Sequence, residues 1–190
     1  MSKRDLMGSS SFYFKLHPAV KQALSREVDV RIERQSGLLK LTYEVRGSTE
    51  SLWLPGQDPS PGAELWENTC FELFARLPGH LAYWEWNFNP LGPFNSYYFT
   101  NYRERARLKA LPSTVLSQKW EPSKEALKLE VTVQAVAMPS LRWAFSHANS
   151  LEVSPTLILK TKKNDFEYWA CQHPAEKPDF HDERNFSNLI

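Results

Sequence analysis

The chain has 190 residues, of which 42% are hydrophobic, 24% charged and 13% aromatic. Seven Trp, seven Tyr and eleven Phe supply enough apolar surface to close around a core, which excludes a disordered chain. The formal charge of +1, from 23 Lys plus Arg against 22 Asp plus Glu, lacks the basic excess of a polyanion binder, so nucleic acid is not an expected partner.

Length and composition fit one domain over residues 1–190, with residues 1–10 as a loose leader. No window approaches the roughly 18 apolar residues of a membrane helix, so no membrane partner is expected. Only seven Gly are present and none forms a phosphate-cradling motif, which gives nucleotide chemistry no foothold. Cys70 and Cys171 are too few for a disulfide scaffold. The opening MSKRDLMGSSSFYFKLHP has no apolar run of signal-peptide length, so a cytoplasmic protein with reduced thiols is expected.

In chain order, β-rich runs dominate. They are FYFKL (12–16), VDVRIE (28–33), LLKLTYEVR (38–46), TCFELFARL (69–77), YWEWNF (83–88), LKLEVTV (127–133), TLILK (156–160) and FEYWAC (166–171). Leu39, Leu41, Tyr43 and Val45 share one parity, and so do Leu127, Leu129, Val131 and Val133, the alternation of half-buried strands. Helix signals are restricted to HPAVKQALSRE (17–27) and NYRERARLKAL (101–111), the second stopped by Pro112. Residues 139–155 carry no assignable pattern beyond a strand near their end. The one Pro/Gly-rich loop is LPGQDPSPG (54–62), between strands. An all-β antiparallel sandwich or barrel with few short helices is the expected fold.

The stretch LWENTCFELFARLPGHLAYWEWNFNPLG (65–92) reads as a hairpin turning at Pro78-Gly79. Pairing Phe71 with Trp86, Leu73 with Trp84 and Thr69 with Phe88 makes one face apolar. It also puts Glu72 opposite Glu85, Cys70 opposite Asn87, Asn68 opposite Asn89 and Phe74 opposite Tyr83 on the other. Moving the pairing along by two residues keeps both faces, whereas a shift of one would mix them. Opposed carboxylates repel and need an Arg, a cation, a shared proton or a hydroxyl-bearing ligand. Glu72, Glu85, Asn68, Asn87 and Asn89, edged by Trp66 and Tyr83, suit a sugar: carboxylates and amides bind hydroxyls while rings stack on apolar sugar faces. The competing readings are a solvated outer face, or an internal network in which Arg103 or Arg105 serves the glutamates.

WENTCFELF, YWEWNFNPLG and the terminal YWACQHPAEKPDFH resemble the bacterial DOMON-like proteins related to family 9 carbohydrate-binding modules, over nearly the whole chain. The resemblance implies an immunoglobulin-like or jelly-roll β-sandwich that binds a ligand, a sugar or, in some DOMON relatives, haem. It makes Trp53 and Trp66, flanking the Pro/Gly-rich loop, the aromatic walls of the site, and matches Glu72 to a carboxylate position of the family. Such modules accompany secreted enzymes, whereas no signal segment is expected here.

Other constellations carry less. His173, Asp179 and His181 could form a two-His-one-carboxylate metal site, although Pro174 and Pro178 point to a tail that caps a sheet. Haem would need axial ligands from Met138 or His147, so no cofactor is expected. Cys171 and His173 stand on one strand with poor geometry for a nucleophilic dyad. Trp84, Trp86 and Trp169 fit the core, and Trp53 and Trp66 fit the surface. The leading expectation is a non-catalytic module for a carbohydrate or similar small polar ligand. Its rivals are a glycosidase using Glu72 and Glu85, and a protein-interaction domain without a small-molecule ligand.

Overall fold

The computed structural model describes residues 10–20, 26–35, 37–54, 64–107, 113–136, 138–147 and 149–190. Its strands are β1 (Ser10–Pro18), β2 (Glu27–Gln35), β3 (Leu38–Arg46), β4 (Cys70–Arg76), β5 (Tyr83–Phe88), β6 (Phe94–Asn101), β7 (Glu104–Arg105), β8 (Ser113–Pro122), β9 (Ala126–Ala135), β10 (Glu152–Lys160), β11 (Phe166–Ala170) and β12 (Asn188–Leu189). One helix, α1 (Pro139–Ser146), precedes β10. Every strand pairing is antiparallel.

The hydrogen-bonded order is β7-β6-β5-β4-β10-β11-β1-β2-β3-β9-β8, with β12 beside β10. The path folds over at β1. Residues Ser10–Leu16 pair with β2, and then His17 and Pro18 cross to pair with Ala170 and Trp169 of β11. Alternation supplies the reason for two facing layers. Val30, Ile32, Leu41, Tyr43, Leu129 and Val131 from one layer share a core with Phe71, Leu73, Trp84, Trp86, Leu157 and Trp169 from the other. The Tyr43 and Phe71 rings meet edge to face at 5.4 Å, and Phe71 meets Trp120 at 5.7 Å. The all-β sandwich expectation holds, and Trp84, Trp86 and Trp169 are core.

Leu77–His80 is closed by a 3.0 Å bond from the His80 N–H to the Leu77 carbonyl, with Gly79 at φ 76°. This is the type II arrangement that Pro followed by Gly favours. The hairpin register lies two residues from the expected pairing, so the faces survive while the partners change. Glu72 lies opposite Asn87, Phe74 opposite Glu85, Leu73 opposite Trp86 and Phe71 opposite Phe88. The two carboxyls are diagonal neighbours on one face, not directly opposed.

The helix expected over 101–111 is corrected. Asn101 ends β6, Arg103 takes φ 54° in a tight turn and Glu104–Arg105 return as β7; residues 108–111 lie outside the described residues. Good helix formers lose there to edge pairing with β6. Of 17–27, His17 and Pro18 end β1 and Glu27 opens β2, while 21–25 lie outside the described residues. The unassigned 139–155 holds α1, which starts at Pro139 and buries Leu141, Ala144 and Phe145. No described helix is long and apolar enough to cross a membrane.

β10 is buried along almost its whole length, because the layer it centres is covered on both faces. Pro155 faces Leu73 of β4 and falls between the residues that pair with β12 and those that pair with β11. The outer cover is the tail after β11. Phe180 and Phe186 join Cys70, Phe74, Tyr83 and Phe99 in a second apolar cluster on that face.

Candidate functional site

The site lies between the outer face of β4, β5 and β6 and the terminal tail. Strand parity aims Glu72, Phe74, Glu85, Tyr97 and Phe99 away from the sandwich core and under the tail. With Trp66, Arg103, Arg105, Ile158, Tyr168, Pro178, Phe180 and His181 they line a cavity of about 530 Å³. The polar hairpin face is therefore not an open surface: Glu72 is 2% exposed and Glu85 5%.

Neither carboxyl pairs with Lys or Arg among the described residues. The Thr156 hydroxyl donates to Glu72 Oε2 at 3.0 Å, and the Asn87 amide donates to Glu85 Oε1 at 2.7 Å. Arg103 instead bonds Asp179 at 2.8 Å, and the Arg105 guanidinium lies 5.0 Å from the Tyr97 ring centre. The Arg-served network is thus replaced by one in which the arginines stand at the rim. Burial, reinforced by the charge of Glu85, raises Glu72 well above the ordinary carboxyl range. Burial raises Glu85 as well, against the pull of Asn87, Arg103 and Arg105.

A second polar chain approaches Glu85 from the tail. The Arg103 backbone N–H donates to the Tyr83 hydroxyl at 3.1 Å, and that hydroxyl meets His181 Nδ1 at 2.7 Å. In the tautomer whose Nδ1 accepts from Tyr83, the imidazole proton sits on Nε2, which lies 3.8 Å from Glu85 Oε2. Burial, with Arg103 nearby, pushes His181 down to about 4, so it is neutral at pH 7. Tyr83, pushed up to about 12 by burial, stays protonated.

Trp66, Glu72 and Glu85, expected from the sequence, come together in the cavity, and Tyr83 buttresses it through His181. The others do not join them. Trp53 is 41% exposed, with Lys160 Nζ 5.5 Å from its ring centre, and Asn68 accepts from the same Nζ at 3.3 Å. Both belong to a neighbouring cluster around Lys160. Asn87 supports Glu85 from within the sheet. Asn89 accepts from the Leu91 N–H at 2.9 Å and shapes the β5–β6 turn, so its amide is structural.

The proposed metal trio is also dispersed: His173 bonds the His17 carbonyl, Asp179 bonds Arg103 and Tyr102, and His181 bonds Tyr83. No group of three or more potential metal ligands occurs among the described residues. Sequence reasoning missed Phe74, Tyr97, Phe99, Tyr168 and Phe180 as walls and His181 as a hydrogen-bond partner. Tyr97 and Phe99 share a parity in FNSYYFTN, a signal that could have marked β6.

No protein-family model matches the chain, and no curated protein matches it. Among solved structures it is similar to that of a putative carbohydrate-binding protein from Bacteroides uniformis, with a TM-score of 0.53 and 17% sequence identity. The likeness covers 90% of this chain and 84% of the other. At that identity it shows the fold: an antiparallel β architecture shared along nearly the full length of both chains.

Proposed function

We propose that the chain is a non-catalytic binding module for a carbohydrate, DOMON-like and related to family 9 carbohydrate-binding modules, acting in the cytoplasm. The observation that carries this reading is the ring-lined cavity of about 530 Å³ in which Glu72 and Glu85 meet with no Lys or Arg in salt-bridge contact with either among the described residues. A small polar ligand fits a space of that size. Buried carboxyls offer hydrogen-bond acceptors, and when protonated one donor each, to sugar hydroxyls. Trp66, held edge to face against Tyr97 at 6.2 Å, provides a rigid apolar wall. The carbohydrate-binding description of the Bacteroides uniformis protein supports the same reading. Free Cys70 and Cys171 fit the cytoplasmic assignment.

The glycosidase reading has less support, because a retaining pair needs one carboxylate held ionised as nucleophile. Here no Lys or Arg among the described residues contacts either glutamate, and His181 is neutral. The interaction-domain reading draws on exposed apolar residues such as Tyr13, Leu81, Leu116 and Trp143, none of which lines the carboxyl cavity. A glycan array followed by titration calorimetry tests the proposal. Specific binding that Glu85→Gln weakens is the expected result; no binding by the folded protein to any glycan would overturn it.

A further inference from the structure

We propose that the ligand of this cavity carries a protonated amine, so that the sugar recognised is an amino sugar with a free ammonium group. The inference rests on the carbohydrate-binding reading and narrows its substrate class. Two acidic side chains, each at least nine-tenths buried, face one cavity, and among the described residues their hydrogen-bond donors are neutral: Thr156 and Cys70 for Glu72, Asn87 for Glu85. A bound ammonium supplies the contacting counter-charge that Arg103 and Arg105, held at the rim, do not, and charge-assisted hydrogen bonds are the stronger kind.

The wall matches the same chemistry. Trp66, Tyr97, Tyr168 and Phe180 line the cavity, and aromatic rings around a cation attract it through their negative faces. Tyr97 already holds one cation in this way, the Arg105 guanidinium at 5.0 Å. Of the groups facing the pair from other elements, Arg103 and Arg105 pull on Glu85 from the rim and bond neither carboxyl. Cys70 lies beside Glu72 and Tyr97 beside Glu85, both neutral, and His181 from the tail is neutral. Arg103 at the rim is engaged by Asp179, and Arg105 is exposed to water, which screens its repulsion of an incoming cation.

The raised carboxyls add a proton balance. When an ammonium group binds as –NH3+, a proton held by the pair leaves to solvent, and the cost at neutral pH is small because the pair titrates near there. A neutral sugar demands no such release.

Titration calorimetry of the full chain, in two buffers of different ionisation enthalpy, tests this with hexosamines, their N-acetyl and neutral hexose counterparts, and choline. The expected result is that a free-amine sugar binds at least about tenfold tighter than its N-acetyl and neutral counterparts. Proton release should accompany the amine alone, and Glu85→Gln should bring the three sugars close to parity. Glu72→Gln provides the same comparison if Glu85→Gln does not fold. Equal binding of all three sugars would overturn the ammonium inference and leave the carbohydrate module standing. Choline bound with no sugar would keep the ammonium and overturn the carbohydrate reading. Binding of none of these ligands would overturn both.

Discussion

Tyr83 and His181 are joined by a 2.7 Å hydrogen bond that ties the outer face of β5 to the terminal tail. Because the Tyr83 oxygen also accepts from the Arg103 backbone N–H at 3.1 Å, one phenol ties both a strained turn and the His181 imidazole to the sheet. Tyr83→Phe removes both bonds while keeping the ring that stacks on Phe99 at 4.7 Å. The expected cost is about 1 kcal/mol, since partly buried partners lose their bonds and not their packing. Chemical denaturation checks it, and an unchanged midpoint would refute the relay.

His181 makes stability pH-dependent on the acid side. Its folded value, about 4, lies below the ordinary 6.5, so the unfolded chain binds the proton more readily. Its contribution is present above pH 6.5 and is lost as the pH falls toward 4. His181→Gln, which retains an acceptor for Tyr83, should flatten that acid limb. Melting temperatures across this range decide the matter.

Glu72 acts with the opposite sign. Its folded value is raised above the ordinary 4.5, so the unfolded chain releases the proton more readily. The stability it contributes is complete below 4.5 and is lost as the pH rises through the raised folded value. Glu72→Gln should therefore raise the melting temperature at about pH 9 and change it little at about pH 5, with a gain on the order of 1–2 kcal/mol. Loss of stability at the higher pH would point to a cation partner for Glu72.

Trp66 and Trp53 separate the cavity from its neighbour around Lys160. Trp66→Ala should weaken carbohydrate binding by ten- to a hundredfold, because a buried aromatic contact is worth about 2 kcal/mol. Trp53→Ala, outside the cavity, should leave the affinity within about twofold. Equal losses from the two substitutions would relocate the site.

Both thiols should be unreactive in the folded protein. Burial pushes Cys70 well up and Cys171 to about 11, leaving little thiolate at neutral pH. Alkylation without reductant, read by mass spectrometry, should modify both only after denaturation. A Cys70–Cys171 disulfide would contradict the free thiols of the structure.

Period-two alternation by itself determined several strands of the sandwich, though not β6 or β8. In LLKLTYEVR and LKLEVTV it can bury only one parity, so core membership follows directly from Leu41, Tyr43, Leu129 and Val131. It also placed Glu72 and Glu85 on one face, because a pairing that keeps Trp84 and Trp86 with Leu73 inside leaves no other parity. Local pattern could not choose between registers two residues apart, which share the same faces; in the structure Leu81 and Ala82 extend the connection beyond the Leu77–His80 turn, so Arg76 pairs with Tyr83 and the carboxyls become diagonal. Nor could it reveal that the polar face is covered. Phe180 and His181 lie roughly a hundred positions from β5, and only the return of the tail over the sheet brings them against Phe74 and Tyr83. That packing removes water from two glutamates, and desolvation, which no local sequence window encodes, turns an ordinary polar strand face into a buried acidic site.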